Sequence, residues 1–209
     1  KNKLPNATHL KLAFASVNGG LSHGTAITMA SKIGEGGCVR ENGMIKRTPL
    51  GHKGMWLNFG EQKLFVMTIP WGDISTAYFT TGILNIETYT GIKPKIVNIL
   101  KFQWAFNWLL RTRFIRNIIK KKIKAKPTGP SDEQRLKSKS LVWGEVTNLA
   151  GEKVTASLSC LDGYSLTAHS SLLIVQKILM GNFKIGYQTP ALVYGENLIF
   201  ELPKTHKLS

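Results

Sequence analysis

One short unit constrains the fold of this chain more than any other. Lys63 to Ile69 is an apolar run that reads as a strand, and Pro70-Trp71-Gly72-Asp73 breaks it. Asp73 or Ser75 can then cap a short helix through Phe79, which Gly82 stops. Ile83 to Tyr89 returns as a second strand. The unit sets a Trp and an Asp together where a strand ends. Such a turn can present polar groups at a cleft while the elements around it stay rigid.

The same reading extends along the chain. His9 to Val17 alternates as a strand and ends at Asn18-Gly19-Gly20. Ser22 can cap a helix that carries Ile27, Met29, Ala30 and Ile33 and stops at Gly34. Gly34-Glu35-Gly36-Gly37 reads as a helix C-cap and turn. Met44 to Arg47 is a strand, and Lys53 to Phe59 turns through Gly60-Glu61-Gln62 into Lys63 to Ile69 as a hairpin. Lys126 to Ser140 is a polar loop with Pro127, Gly129 and Pro130 as breakers. Ser140 to Asn148 and Lys153 to Leu161 form a second hairpin, and a long helix runs from Tyr164 to Met180. The remainder is irregular, with a short strand at Leu198 to Glu201. Long hairpins interrupted by helices predict an α+β domain, a largely antiparallel (mixed) sheet with helices packed on one face.

The segment from Pro94 to Lys126 differs. It predicts one helix or two, with Ile96, Val97, Ile99, Leu100, Trp104, Trp108 and Leu109 as a wide apolar band. Phe114, Ile115, Ile118 and Ile119 then mix with Arg111, Arg113, Arg116, Lys120, Lys121, Lys122, Lys124 and Lys126. This is the composition of a basic amphipathic insertion, residues 94–126, lying at a membrane surface. Trp104, Trp108, Arg111, Lys120, Lys121 and Lys122 are its candidate surface contacts. The alternative is a helix pair that covers the sheet with a solvated basic face.

The 209 residues suit one large domain, and 43% hydrophobic content supplies a core. The net charge of +16 invites an anionic partner. No zinc-finger spacing, helix-turn-helix pattern or aromatic RNA-binding strand accompanies it, so no specific nucleic-acid partner is expected. Cys38 and Cys160 lack ligand-like spacing and suit buried free thiols in a reducing, cytoplasmic compartment. His23, His52 and His169 have no His or Cys partner at metal-binding spacing, so no metal is expected. Ser22-His23 and Ser170-Ser171 beside His169 are sequence neighbours without a nucleophile elbow.

A family resemblance joins these pieces. Ser22-His23-Gly24-Thr25 opens a helix, and Arg40, Gly43 and Ile45 follow. The Trp71 block comes next, then Gly129-Pro130-Ser131 with Arg135, Gly144-Glu145-Val146, Gly151-Glu152, Gly163-Tyr164, Thr167-Ala168, Thr189-Pro190 and Gly195. In this order and spacing the chain resembles the second half of the saccharopine dehydrogenase-like oxidoreductases, which include trans-acting enoyl reductases. The resemblance implies the substrate-binding and dimerisation domain of an NAD(P)-dependent enzyme, closing over an N-terminal Rossmann half. Neither a Gly-x-Gly-x-x-Gly fingerprint nor a phosphate-cradling glycine loop with Lys and Ser/Thr occurs. The chain also begins at Lys1. The expectation is therefore residues 1–209 as a C-terminal substrate-side domain with no cofactor of its own, inactive without its partner half.

The candidate substrate contacts are Arg40, Trp71, Asp73 and Tyr89. Trp71 can form an apolar wall and Asp73 can orient a donor; alternatively they fill the core and cap a helix. An arginine presented by a glycine-rich turn can grip a carboxylate or phosphate at two points, or be exposed or salt-bridged. Tyr89 and Tyr164 can donate hydrogen bonds or protons, or be buried with backbone partners. If Arg40, Trp71 and Asp73 line one cleft, the enzyme reading gains. If they are buried or scattered while the Trp104 to Lys126 face is exposed, a lipid-surface or protein-interaction module gains.

Overall fold

A computed structural model describes residues 1–60 and 62–208. The first half holds β1 His9–Val17, α1 His23–Lys32, β2 Gly37–Glu41, β3 Met44–Thr48, β4 Gly54–Asn58, β5 Lys63–Thr68, α2 Asp73–Thr81 and β6 Asn85–Gly91. Three helices follow, α3 Pro94–Leu100, α4 Gln103–Leu110 and α5 Arg113–Lys124. The rest is α6 Asp132–Lys137, β7 Lys139–Thr147, β8 Lys153–Leu161, α7 Gly163–Leu179, α8 Pro190–Tyr194, a 3₁₀ turn at Glu196–Glu201 and β9 His206–Lys207. The fold is α+β with a mixed sheet, in the order β3-β2-β6-β1-β7-β8-β9. Among the described residues β1 and β6 run parallel, and the other strand pairs are antiparallel.

Strand β6 carries the unusual feature. One edge pairs with β1 from His9↔Asn85 to Phe14↔Thr90. The other edge is divided. Its first half meets β2 through Arg40↔Ile86, and its second half meets β5 from Thr68↔Tyr89 to Val66↔Gly91. The β2–β3 and β4–β5 hairpins therefore leave β6 side by side, and the sheet forks between them.

Alternation along β1 and β6 gives each sheet face its own core. Ala13, Ala15 and Tyr89 point to one side, where Leu57, Phe59 and Val66 of the β4–β5 region meet Leu141 and Trp143 of β7. The hairpin thus curls over its own sheet. Leu208 closes this core from the C-terminal end, its N–H bonded to the Ser157 carbonyl. Leu10 and Ile86 point to the other side, where α2 lays Ile74, Ala77 and Tyr78 on them and Leu4 and Ala7 seal the rim. Fully burying one such isoleucine contributes about 1.5–3 kcal/mol.

The strand–turn–helix–strand unit is present, with a different cap. Gly72 occupies the N-cap and supplies no side-chain bond, so Asp73 is the first helical residue. Gly82 ends α2 in the left-handed conformation, φ 67°, its N–H bonded to Tyr78 O at 2.8 Å. Several other expectations are corrected. Residues 37–41 form strand β2 and not a turn, because Gly34 and Gly36, at φ 83° and 87°, complete the reversal before Gly37. The polar stretch after Pro130 contains α6, opened by a capping box between Ser131 and Gln134. Leu198 to Glu201 is part of a 3₁₀ turn and not a strand. The β4–β5 turn closes through Phe59 N–H to Gln62 O at 2.9 Å; Glu61 lies outside the described residues. Cys38 and Cys160 are free thiols, each raised in pKa by burial.

Close packing at the fork yields a test. A Cβ on Gly91 would lie 2.7 Å from Ala15 Cβ and 3.3 Å from its Cα, atoms that cannot swing aside. Gly91→Ala is expected to lower unfolding free energy by about 1–3 kcal/mol in urea denaturation. An unchanged midpoint would show that β1 and β6 can part at this level.

Candidate functional site

The face shared by β1, β6 and β7 changes character along its length. Beyond the apolar row of Tyr89, Ala13 and Trp143 comes an ionic row, in which Lys11 is register partner to both Glu87 and Glu145. Lys11 Nζ is 3.1 Å from Glu145 Oε1, and Lys153 Nζ is 4.0 Å from Glu145 Oε2. Lys53, entering β4, pairs with Glu87 Oε1, and the Tyr89 hydroxyl donates to Glu87 Oε2 at 2.5 Å. Charges thus alternate across the sheet as Lys53, Glu87, Lys11, Glu145 and Lys153. His52 Nδ1 lies 2.9 Å from Thr68 Oγ1, which also accepts the Lys53 N–H at 3.2 Å. A groove of about 810 Å³ opens where the fork meets this row, lined by His9, Lys11, Arg40, His52, Lys53 and Glu87 among others.

Electrostatics define what each group can do. Burial pushes the Glu87 carboxyl up, but the Lys53 ammonium and Tyr89 hydroxyl outweigh it, and the net shift is downward. Tyr89 is driven far above its ordinary range by burial and then by Glu87, so it donates a hydrogen bond and keeps its proton at neutral pH. Burial, and then the charge of Lys53, lower the pKa of His52, which leaves it neutral at pH 7. A carboxylate, ammonium groups and a neutral imidazole around one groove can orient a polar molecule and exchange a proton with it.

The four contacts expected from sequence do not meet in one cleft, while the Trp104 to Lys126 face is exposed. On those residues the lipid-surface or protein-interaction reading gains, and the enzyme reading rests instead on the ionic groove. Tyr89 lies under the ionic row. Arg40 points to the opposite face, 8% exposed beneath α2. Its Nε donates to Ile74 O at 2.7 Å and its Nη1 to Gly43 O, with the guanidinium 4.1 Å from the Tyr78 ring centre. Its planar fork is committed to backbone carbonyls and holds α2 to β2, so it is neither exposed nor salt-bridged. Trp71 is 42% exposed and meets Phe14 edge-on at 4.5 Å. Asp73 is half-buried at the start of α2; burial raises its pKa, and no ion pair reaches it among the described residues. None of Lys11, Lys53, His52, Glu87 and Glu145 was a candidate substrate contact from sequence; His52 was weighed only as a metal ligand, and Glu145 stood only within a family motif. The available signal was Glu87 itself, a carboxylate on the strand face that also carries Tyr89.

In the turn from β1 to α1, where a dinucleotide would meet a helix start, the backbone N–H groups are occupied. Ser22 N–H donates to the Tyr164 hydroxyl at 2.7 Å, His23 N–H to Thr128 O at 2.9 Å, and Thr25 N–H to Ser22 Oγ at 3.2 Å. Burial would raise the Tyr164 pKa, but its bonds with Ser22 and Thr25 outweigh burial and lower it. A pyrophosphate needs those N–H groups free. The turn does not fit NAD(P). Among the described residues no group of three or more His, Cys, Asp or Glu side chains could hold a metal.

The 94–126 segment is three helices, none with a buried residue. Trp104 is 79% and Trp108 69% exposed, and Lys121 and Lys122 are exposed. Lys120 is half-buried, and Arg111 Nε donates to Gly34 O at 2.7 Å, so these two are less available than the sequence implied. No helix among the described residues is long and apolar enough to cross a membrane.

No family model matches the chain, and no curated protein matches its sequence. Among solved structures it is similar to the apo, histidine-tagged saccharopine dehydrogenase (L-Glu forming) from Saccharomyces cerevisiae. The TM-score is 0.53 at 8% identity, covering 98% of this chain and 68% of that one. At that identity the likeness shows the fold alone: the chain carries a saccharopine dehydrogenase-like fold.

The position of Arg40 makes a sharp expectation. Arg40→Lys keeps the charge but cannot reach both carbonyls while stacking on Tyr78. It is expected to cost about 1.5–3 kcal/mol in urea denaturation, whereas Asp73→Asn, which removes a desolvated unpaired charge, changes stability by less than about 0.5 kcal/mol or raises it. Equal stability of wild type and Arg40→Lys would free Arg40 for a ligand.

Proposed function

We propose that this chain is the substrate-binding and closure domain of an NAD(P)-dependent oxidoreductase. The cofactor is held by a nucleotide-binding half, and this domain alone does not turn over. The observation that carries the reading is the groove with its ionic row, on a domain whose fold is shared with a saccharopine dehydrogenase. The occupied N–H groups at the start of α1 support placing the cofactor elsewhere. In this reading Glu87, Lys53 and Lys11 contact the polar part of the substrate, with His52 in position to exchange a proton. Tyr89 fixes the Glu87 carboxylate. Trp71 and Asp73 lie at the start of α2, outside the groove lining, and Arg40 positions that helix. A homodimer belongs to the same reading.

Two measurements test it. Calorimetric titration of the chain with NAD or NADP is expected to show no saturable heat at about 1 mM cofactor, a level matching roughly 4 kcal/mol of binding. A micromolar dissociation constant would overturn the division of labour. In the enzyme completed by its nucleotide-binding half, Lys53→Met and Glu87→Gln are expected to lower kcat/KM by about ten- to hundredfold, the worth of one charge-assisted contact. Unchanged kcat/KM in both variants would place the substrate elsewhere.

A further inference from the structure

The α3–α5 unit is held firmly on one side and bare on the other. Gln103 exchanges hydrogen bonds with the backbone of Leu50, from its N–H at 3.1 Å and to its carbonyl at 3.0 Å. Arg111 binds Gly34 O, and Arg116 binds Ile33 O at 2.9 Å and Glu35 at 3.2 Å. On α4 the half-buried residues are Gln103, Phe106, Asn107 and Leu110, while Trp104 and Trp108, one turn apart, face away. On α5 Ile115, Ile119 and Ile123 are half-buried, while Phe114, at 73%, and Ile118 are exposed. Ile99 and Phe102, exposed at the end of α3, add to the same unit. Exposed apolar groups in this density mark a contact surface.

The charge around them says what the contact is. Between Glu87 and Asp132 the sequence holds no carboxylate. Arg113, Lys121, Lys122, Lys124 and Lys126 are exposed, and no ion pair reaches them among the described residues. An aliphatic and aromatic patch flanked by unopposed lysines is complementary to one kind of surface, an anionic bilayer interface. Trp and Phe sit there at headgroup depth, and lysines meet lipid phosphates. A nucleic acid would use the lysines but has no place for Ile99 and Ile118. A second copy would bring like charges face to face.

We propose that the α3–α5 unit docks this protein onto anionic membrane surfaces, with Trp104, Trp108, Phe102 and Phe114 entering the headgroup layer and Lys121, Lys122, Lys124 and Lys126 held by its phosphates. The proposal is independent of the redox reading, because it involves none of the groove residues.

Co-sedimentation with vesicles of phosphatidylglycerol and phosphatidylcholine, against phosphatidylcholine alone, tests it. Binding is expected only with the anionic lipid, with Trp emission shifted to the blue. It is expected to weaken at least tenfold between about 0.1 M and 1 M salt, as the Debye length falls from about 10 Å to 3 Å. Lys121→Gln/Lys122→Gln/Lys124→Gln is expected to lose roughly a hundredfold in affinity. Trp104→Ala/Trp108→Ala is expected to lose about tenfold or more, with melting unchanged because both rings are exposed. Four results would overturn the proposal: no binding to anionic vesicles at low salt; binding unaffected by the Trp pair, which reduces it to simple polycation adsorption; tighter binding to duplex DNA at equal salt; or a lipid-free dimer, seen by sedimentation, that the Trp pair abolishes.

Discussion

The Glu87 carboxylate is the contact on which the working face of this protein depends. It sits on β6 where the outer edge of that strand passes from one partner hairpin to another. One oxygen takes the ammonium of Lys53 from the start of β4, and the other takes the hydroxyl of Tyr89. Lys11 lies beside it on β1 and hands the alternation on to Glu145. A single side chain thereby ties the β4–β5 hairpin to the centre of the sheet. Because half-buried charges are costly without partners, removing one member strands the others.

The two faces of the sheet divide their labour. Beneath α2 the Nε and Nη1 of Arg40 go to backbone carbonyls and its guanidinium stacks on Tyr78, so Arg40 holds that helix in place. The opposite face is apolar under the curled hairpin and ionic at the fork, where titratable groups line an open groove. The α3–α5 unit projects a third surface, apolar and basic, tied to the end of α1 by Arg111 and Arg116. The proposed substrate and membrane contacts therefore draw on different residues, and either proposal can fail without the other.

Much of this was legible in the sequence, and the failures have physical reasons. The hairpins, the helix after Asp162 and the strand–turn–helix–strand unit follow from local periodicity and turn chemistry, and all are present. Strand β2 was hidden because Gly34 to Gly37 reads as one turn, whereas two left-handed glycines complete it and the next residues extend. The α6 capping box was visible as Ser131-x-x-Gln134, yet the flanking prolines and glycine dominated the reading. The ionic row could not be read locally: Lys11 and Glu145 are 134 residues apart, and only register brings them together. Arg40 misled for the converse reason. Flanking glycines suggested an exposed grip, but strand alternation turned it under a helix whose position no local pattern fixes. The sequence reads residues 94–126 as one amphipathic helix or two; the division into three short helices depends on contacts to α1 and Leu50.

The account stands most directly on the charge state of Glu87. If Lys53, Tyr89 and Lys11 hold it, its folded pKa lies below the ordinary value of 4.5 despite burial. Its stabilising effect is then present above pH 4.5 and is lost as pH falls through the lowered folded value. Carbon-detected NMR titration of the Glu87 side-chain carboxyl measures this at the one atom concerned. A midpoint below 4.5 that rises when Lys53 is changed to Met is the result the account predicts. A midpoint at or above 4.5, indifferent to Lys53, would mean that burial governs this carboxylate and that the ionic row does not organise the groove.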